Sequence, residues 1–420
     1  MAQCLWNESS KEYIEFNQLV GDVHVDFVIV GGGFSGCSAA IEARAQGASV
    51  ALIEAHTIGH GGSGRNVGLV NAGLWLPPDA VCHSLGKSQG DRLNLALADA
   101  PDVVFDLIAK HDIQCDATRN GTLHCAHSSK GLRDLQMRLA QQQCRQAPVT
   151  LLDAAETIKR TGSSAFSGAL HDARAGTIQP LSYVQGLARV AAEAGAQIFT
   201  MSPAKALSSQ DGRWIVGTPQ GTVYADKILI ATNAYHQDIA NHTPHRSTRV
   251  SYFQMATQPL PDHILQDILP NSEGCWDTAL IMSSFRKDAE GRFVFGAMGQ
   301  PTRLGDHIHT SWAKRMLSLR FPQLKDQPLA YLWSGDIAMT ADHIPKAIAF
   351  DANALCLMGY SGRGIGPGTV LGRGAARALL AGDTSAMPLE ITPAYDERFT
   401  QLKTAYYEFG ARMIHAMQFR

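Results

Sequence analysis

The sequence predicts an α/β fold, with a buried parallel sheet at its centre and more than one domain, on three observations. DFVIVGGGFSG, residues 26–36, runs a short β-branched segment straight into a cluster of glycines. A helix-forming segment and a second apolar strand, ASVALIE, follow at once and complete a strand–helix–strand unit of about 30 residues. A strand–glycine–helix pattern returns late in the chain, in LCLMGYSGRGIGPGTVLGRGAARALLAG from Leu355. At 420 residues the chain is too long for one small core, and at roughly 150 residues per domain it should hold two or three.

Composition narrows the class. Apolar residues make up 45% and charged residues 18%, ordinary for a globular enzyme. A formal net charge of −2 offers no basic patch for nucleic acid. The eight cysteines, at 4, 37, 82, 115, 125, 144, 275 and 356, form no C-x-x-C pair, so free thiols and a cytoplasmic location are expected. The first 20 residues lack a basic segment followed by an apolar run, and no stretch of 18 apolar residues occurs. Neither a signal peptide nor a membrane-spanning helix is therefore expected.

Taken in order, residues 1–22 read as an N-terminal extension or a short docking helix. Residues 26–30 read as a strand buried on both faces, because the apolar run is continuous. CSAAIEARAQ is a helix, stopped at Gly47, and the following strand ends at Glu54. Residues 90–147 read as helical, and the segment from Pro180 as a helix and then a strand. Turns at Asp211-Gly212 and Gln220-Gly221 predict hairpin strands leading into a buried strand at 227–231. Residues 248–300 carry strand-like segments, and 303–325 a helix ending near Phe321-Pro322. One amphipathic helix is expected from Ala394.

Two G-x-G-x-x-G matches compete for a dinucleotide. The first, Gly31, Gly33 and Gly36, lies between a strand and a helix. There Gly31 allows the tight turn, Gly33 lets backbone approach a pyrophosphate, and Gly36 lets helix and strand close up. The helix starting near Phe34 aims free N–H groups at the phosphates. Glu54, 18 positions after Gly36, can accept hydrogen bonds from ribose hydroxyls and would repel a 2′-phosphate, which favours FAD or NAD over NADP. This Rossmann-like unit is the strong signal. The second match, Gly59 to Gly64, opens no helix and reads either as a surface turn or as a loop touching a flavin ring. GSGRN sets a hydroxyl, a guanidinium and an amide among bare backbone. GYSGRGIGPG, from Gly359, precedes a helix whose N-terminus can face the ring edge where negative charge appears on reduction.

Four blocks in this order resemble the FAD-dependent amino-acid and amine oxidoreductases of the D-amino-acid oxidase, glycine oxidase and sarcosine oxidase family. They are DFVIVGGGFSGCSAAIEARAQGASVALIE, GGSGRNVGLVNAG, ADKILIATNAY, and YLWSGDIAMTADHIPKAI with LMGYSGRGIGPG. The SGRN form is most similar to the branch with γ-glutamylputrescine oxidoreductase and L-pipecolate oxidase. The resemblance implies a discontinuous FAD-binding domain from 23–80, 150–240 and 330–385. A substrate domain of sheet plus helices would come from 81–149 and 241–329, with a helical tail at 386–420.

The resemblance also implies site residues. Gly31, Gly33, Phe34, Ser35, Gly36, Glu54 and Ala55 would hold the ADP part, with Ala204 at the adenine and Thr232 nearby. Gly62, Ser63, Gly64, Arg65, Asn66 and Gly68 would line the ring, and Gly335, Gly362, Arg363, Gly364 and Ile365 its far edge. Arg65 and Arg363 are the catalytic candidates; Tyr252, Trp333 and Arg363 are the substrate candidates. Many members carry histidine where this chain has Arg363, and an arginine where it has Ala338 and Met339. No attachment residue is recognisable, so noncovalent FAD is expected.

The implied reaction oxidises the C–N bond of a small amino acid or amine to an imine by hydride transfer to flavin N5. L-Pipecolate is the particular candidate, and oxygen the expected electron acceptor. A quinone-linked dehydrogenase and a noncatalytic flavin subunit are the alternatives. No metal site is expected: HCAH at 124–127 and HIH at 307–309 lack companion ligands in a motif and read as structural or surface histidines.

Overall fold

A computed structural model describes residues 4–301 and 305–417. Two sheets organise the chain. In the nine-stranded sheet, Gln197–Phe199, Val50–Ile53, Gly21–Val30, Gly221–Ile230 and Ala354–Met358 lie side by side in that order, all parallel. Phe27 and Ile29 face a core built with the helices Phe34–Ala45, Pro180–Glu193 and Ile365–Ala381. Val28 and Val30 face a second core that includes Trp214 and Val216 of an antiparallel hairpin. Burial on both faces is the reason the strand reads as an unbroken apolar run.

The eight-stranded sheet runs Leu329–Met339, Thr248–Thr257, Phe293–Met298, Ser283–Lys287, Gly274–Asp277, Thr122–Cys125, Ala169–Asp172 and Val149–Leu152. Neighbours are antiparallel except for Gly274–Asp277 beside Thr122–Cys125. Its residues alternate. Phe253, Met255, Cys275, Phe285 and Phe295 bury against Trp312 and Phe321 on one side. The positions between them, including Tyr252, Gln254, Trp276 and Ser284, face a cavity on the other.

Several boundaries differ from the expected ones. Val149–Leu152, Ala169–Asp172 and Leu329–Met339 fall in stretches assigned to the nucleotide-binding domain, yet they pair into the eight-stranded sheet. A strand's partner is a long-range choice, and nothing local in these segments reports it. Conversely, Leu93, Leu97 and Val104 of the helices Lys87–Ala98 and Ala100–Lys110 bury in the core of the nine-stranded sheet, although 81–149 was assigned to the substrate domain. Thr122–Cys125 interrupts the stretch read as helical; with four residues, all buried, it has no period to detect. The tail divides: Ile391–Thr392 joins the nine-stranded sheet, and the helix begins at Thr400 rather than Ala394. Leu5 and Trp6, in the expected N-terminal extension, are fully buried. Residues 1–3, 303–304 and 418–420 of the segments named above lie outside the described residues.

His415 anchors the Thr400–Met417 helix. Its Nδ1 lies 2.7 Å from Nδ1 of His309, and its ring stacks on Trp312 at 3.9 Å. Burial, then His309 and Arg315, lowers its pKa from 6.5 to about 3. Between those values the unfolded chain binds the extra proton, so stability rises with pH and is lost as pH falls from about 6.5 towards about 3. Replacing His415 with Phe should flatten this part of the Tm-versus-pH curve in thermal melts. An unchanged slope would show that His415 contributes none of it.

Candidate active site

A cavity of about 420 Å³ lies between the two sheets. Gly31, Gly33, Phe34 and Ser35 line it from the first glycine stretch, and Gly62, Ser63 and Asn66 from the second. Gly362, Arg363, Gly364 and Ile365 line it from the third. Stretches far apart in the chain thus meet at one place.

The first stretch is shaped by what glycine lacks. Gly31 sits at φ +115°, where L side chains are strained. A Cβ on Gly36 would run into the Gly31 carbonyl oxygen, so Gly36 shapes the turn without lining the cavity. Gly33 caps the Phe34–Ala45 helix, whose first N–H groups have no partner within the helix. Glu54 Oε2 accepts from the Gly32 N–H at 2.7 Å, and Oε1 from the His56 N–H at 2.9 Å. Its carboxylate is therefore held in place at the cavity wall. Ala55, Ala204 and Thr232 line the same cavity.

The second stretch is braced from within and from beneath. Asn66 Nδ2 donates to the carbonyls of Gly62 and Ser63 at 2.9 and 2.8 Å, and Oδ1 accepts from the Gly68 N–H at 2.9 Å. Ser63 Oγ accepts from the Phe34 N–H at 3.1 Å and ties this loop to the first. Two indoles hold the backbone: Trp6 donates to the Asn66 carbonyl at 2.8 Å and Trp333 to the Arg65 carbonyl at 2.9 Å. Their rings meet edge-on at 5.6 Å. Gly64 and Gly68 admit the carbonyls of Gly59 and Ile178 where a Cβ would collide, so they too act by packing.

Besides Gly36, Gly64 and Gly68, the candidates Arg65, Trp333 and Gly335 stand elsewhere than expected. Arg65 donates to the Ser334 carbonyl at 3.3 Å and does not line the cavity. Trp333 supports the loop from below and is no wall of a substrate cage. Gly335 lies behind Tyr252, whose hydroxyl a Cβ there would strike. A sequence does not tell which side of a loop its side chains take, and here a backbone carbonyl claimed the indole N–H.

Arg363 and Tyr252 do line the cavity. The Arg363 guanidinium lies 4.8 Å over the Trp276 ring, and His124 stacks on that ring at 4.9 Å. Burial, then the charge of Arg138, lowers the Arg363 pKa to about 10, which leaves it cationic at neutral pH. Arg363 makes no ion pair among the described residues. Burial, then Arg138 and Arg363, holds His124 well below the ordinary histidine value, hence neutral. Gln254, Trp276 and Ser284 also line the cavity and were not singled out from the sequence. The available signal was Gln254, a polar residue alternating with Phe253 and Met255 along a strand. Among the described residues, no group of three or more His, Cys, Asp or Glu could hold a metal ion.

This arrangement of two sheets, glycine loops and a shared cavity defines a flavin-dependent oxidoreductase. Residues 26–378 match the DAO family of FAD dependent oxidoreductases. The chain belongs to that family: it is an enzyme and FAD is its cofactor. It is 28% identical to a probable oxidoreductase OrdL of Haemophilus influenzae, over 96% of this chain and 95% of that one. It is 26% identical to the γ-glutamylputrescine oxidoreductase of Escherichia coli, over 96% and 97%. Among solved structures, glycine oxidase from Geobacillus kaustophilus superposes with a TM-score of 0.70 at 18% identity, over 86% of this chain and 95% of that one. That likeness shows the shared fold.

The two indole supports yield a prediction. Trp333→Phe keeps the ring and removes the N–H, leaving the Arg65 carbonyl without that donor. A loss of about 1–3 kcal/mol is expected, read as a lower Tm in the apoprotein, with weaker FAD retention on dialysis. Full retention of both would show that the loop does not depend on this bond.

Proposed function

We propose that this enzyme oxidises the C–N bond of a small amino acid to an imine, with Arg363 binding the substrate carboxylate. The observation that carries this reading is a half-buried cation that lines the cavity and has no ion-pair partner among the described residues. Desolvated guanidinium groups pair strongly with planar carboxylates. The amine-acting relatives support the reaction class, and the match to the family supports the cofactor.

The cavity fits FAD. Gly31, Gly33 and Ser35 at the helix N-terminus would hold the pyrophosphate, Glu54 the ribose and Ala204 the adenine. Ser63 and Asn66 would hold the ring, with Gly362, Gly364 and Ile365 at its pyrimidine edge. When bound, FAD supplies the hydride acceptor. The protein's own tasks are to orient the α-carbon, exclude water and neutralise the carboxylate. Trp276, Tyr252, Met282 and Met298 line the cavity and make it largely apolar, which favours the neutral amine that can lose hydride. The substrate gives up a hydride from the α-carbon and a proton from nitrogen, two electrons and two protons in all, and water hydrolyses the imine unless it is cyclic.

L-Pipecolate, with one carboxylate and a secondary amine, is the particular candidate. Oxygen is the proposed acceptor, giving hydrogen peroxide; a quinone is the alternative. FAD is proposed to be held noncovalently. Eight free thiols suit a reducing compartment, and we place the enzyme in the cytoplasm. Among the described residues, no helix is long and apolar enough to cross a membrane.

The purified protein should be yellow and release its FAD on acid precipitation. Anaerobic addition of amino acids should bleach the flavin band, and air should restore it. Stable bleaching in air would favour the quinone acceptor. Arg363→Met should raise KM for carboxylate-bearing substrates by about tenfold to a hundredfold and leave simple amines unaffected. Equal effects on both would refute the carboxylate role.

A further inference from the structure

We propose that the Thr400–Met417 helix docks antiparallel against the same helix of a second copy of this chain, making the enzyme a two-fold dimer. A helix on the surface of a monomer needs one apolar stripe, turned to the core. This helix has two. On the inner face Ala411 and His415 are buried, and Ile414 packs on the core that holds Trp312 and Phe321. Thr404 Oγ1 accepts from the Arg249 N–H and Glu408 Oε2 from the Gln300 N–H, both at 3.1 Å. Together with the contact of His415 and His309, these bonds fix which way the helix faces.

The outer stripe is open. Phe399, just before the helix, and Leu402, Tyr406, Phe409, Met413 and Met417 along it are between 42% and 74% exposed. At about 150–250 Å² for a whole aromatic side chain, the six present on the order of 700 Å². That exceeds the roughly 300–600 Å² of the largest apolar patch on an ordinary monomer. It approaches the ~800 Å² that each partner buries in a standard interface. The charges that flank the stripe are satisfied within the chain, Lys403 by Glu397 and Arg412 by Glu408. A helix that lies on an anionic membrane relies on Lys and Arg to reach the lipid headgroups. Here those cations are already neutralised, and the whole chain carries a formal charge of −2. The stripe suits a neutral, apolar partner.

The spacing identifies that partner. Phe399, Leu402, Tyr406, Phe409, Met413 and Ala416 follow one another at intervals of three and four in alternation. This is the a/d repeat through which one helix packs on another. Reversed, the stripe is complementary to itself. A two-fold axis crossing between Tyr407 and Glu408 sets Tyr406 on Phe409 of the second copy, Leu402 on Met413, and Phe399 on Ala416. The bulky residue at one end thus meets the small one at the other, and the layers fill evenly. A two-fold contact forms every such layer twice. Gly410, beside the central layer, has open space where a Cβ would stand, so close approach meets no obstacle there.

The test is sedimentation of the full, FAD-loaded chain. The parent should run as a dimer at micromolar concentration, and its Tm should rise with protein concentration. Leu402→Glu alone and Met413→Lys alone should each weaken the dimer by about tenfold or more, because each buries an unpaired charge. Both positions are exposed within one chain, so far-UV circular dichroism and the flavin band should match the parent. Mixed in equal amounts, the two variants should form a heterodimer about tenfold or more tighter than either alone. The two introduced charges face each other only in the antiparallel pairing. A monomeric parent, a dimer that both substitutions leave intact, or a mixture that shows no recovery overturns the proposal. So does a monomeric parent that sediments with vesicles of phosphatidylglycerol and phosphatidylethanolamine and loses this binding in Leu402→Glu, which would assign the stripe to a membrane surface.

Discussion

Close approach of bare backbone is the constraint on which this structure rests. The helices Phe34–Ala45 and Ile365–Ala381 both begin at the cavity, and they can do so only because their contact is nearly free of side chains. A Cβ on Gly372 would run into the backbone of Ser35, and one on Gly36 into that of Gly31. The hydroxyls of Ser35 and Tyr360 close the seam at 2.6 Å. Two helix N-termini, with their partial positive charges, are thereby aimed into one space. A cofactor with a dinucleotide at one end and a ring that gains negative charge at the other is a natural occupant.

The second sheet serves this centre as a rigid wall. One of its faces is fastened to Trp312 and Phe321, so the opposite face can afford polar atoms without partners. The loops between the two bodies are held from behind by Trp6 and Trp333, whose indoles donate to backbone carbonyls and which do not line the cavity. Precision at the site therefore comes from groups that touch no substrate.

Much of the first body was legible in the sequence, because its signals are local. A buried strand, a glycine turn, a helix and an acidic residue follow one another within residues 26–54, and each has its own physical signature. The third glycine stretch was readable for the same reason. What was not legible depends on distant pairing. Leu329–Met339 joins the sheet begun by Thr122–Cys125, and no local pattern could announce it. The same holds for the site. Arg363 stood out as a cation among glycines, but the Trp276 ring beneath its guanidinium comes from a distant strand. Arg65 and Trp333 drew attention by residue type, and the fold turned both towards scaffold.

The central strand Gly21–Val30 has Val50–Ile53 on one side and Gly221–Ile230 on the other, and the sheet then waits for Ala354–Met358. At about 5–20 residues per second on the ribosome, completing that side takes on the order of tens of seconds. Trp6 must likewise wait for Trp333, far later in the chain, before the two rings can meet. Throughout that interval Ile228–Ile230 lack the parallel neighbour that Ala354–Cys356 later supplies.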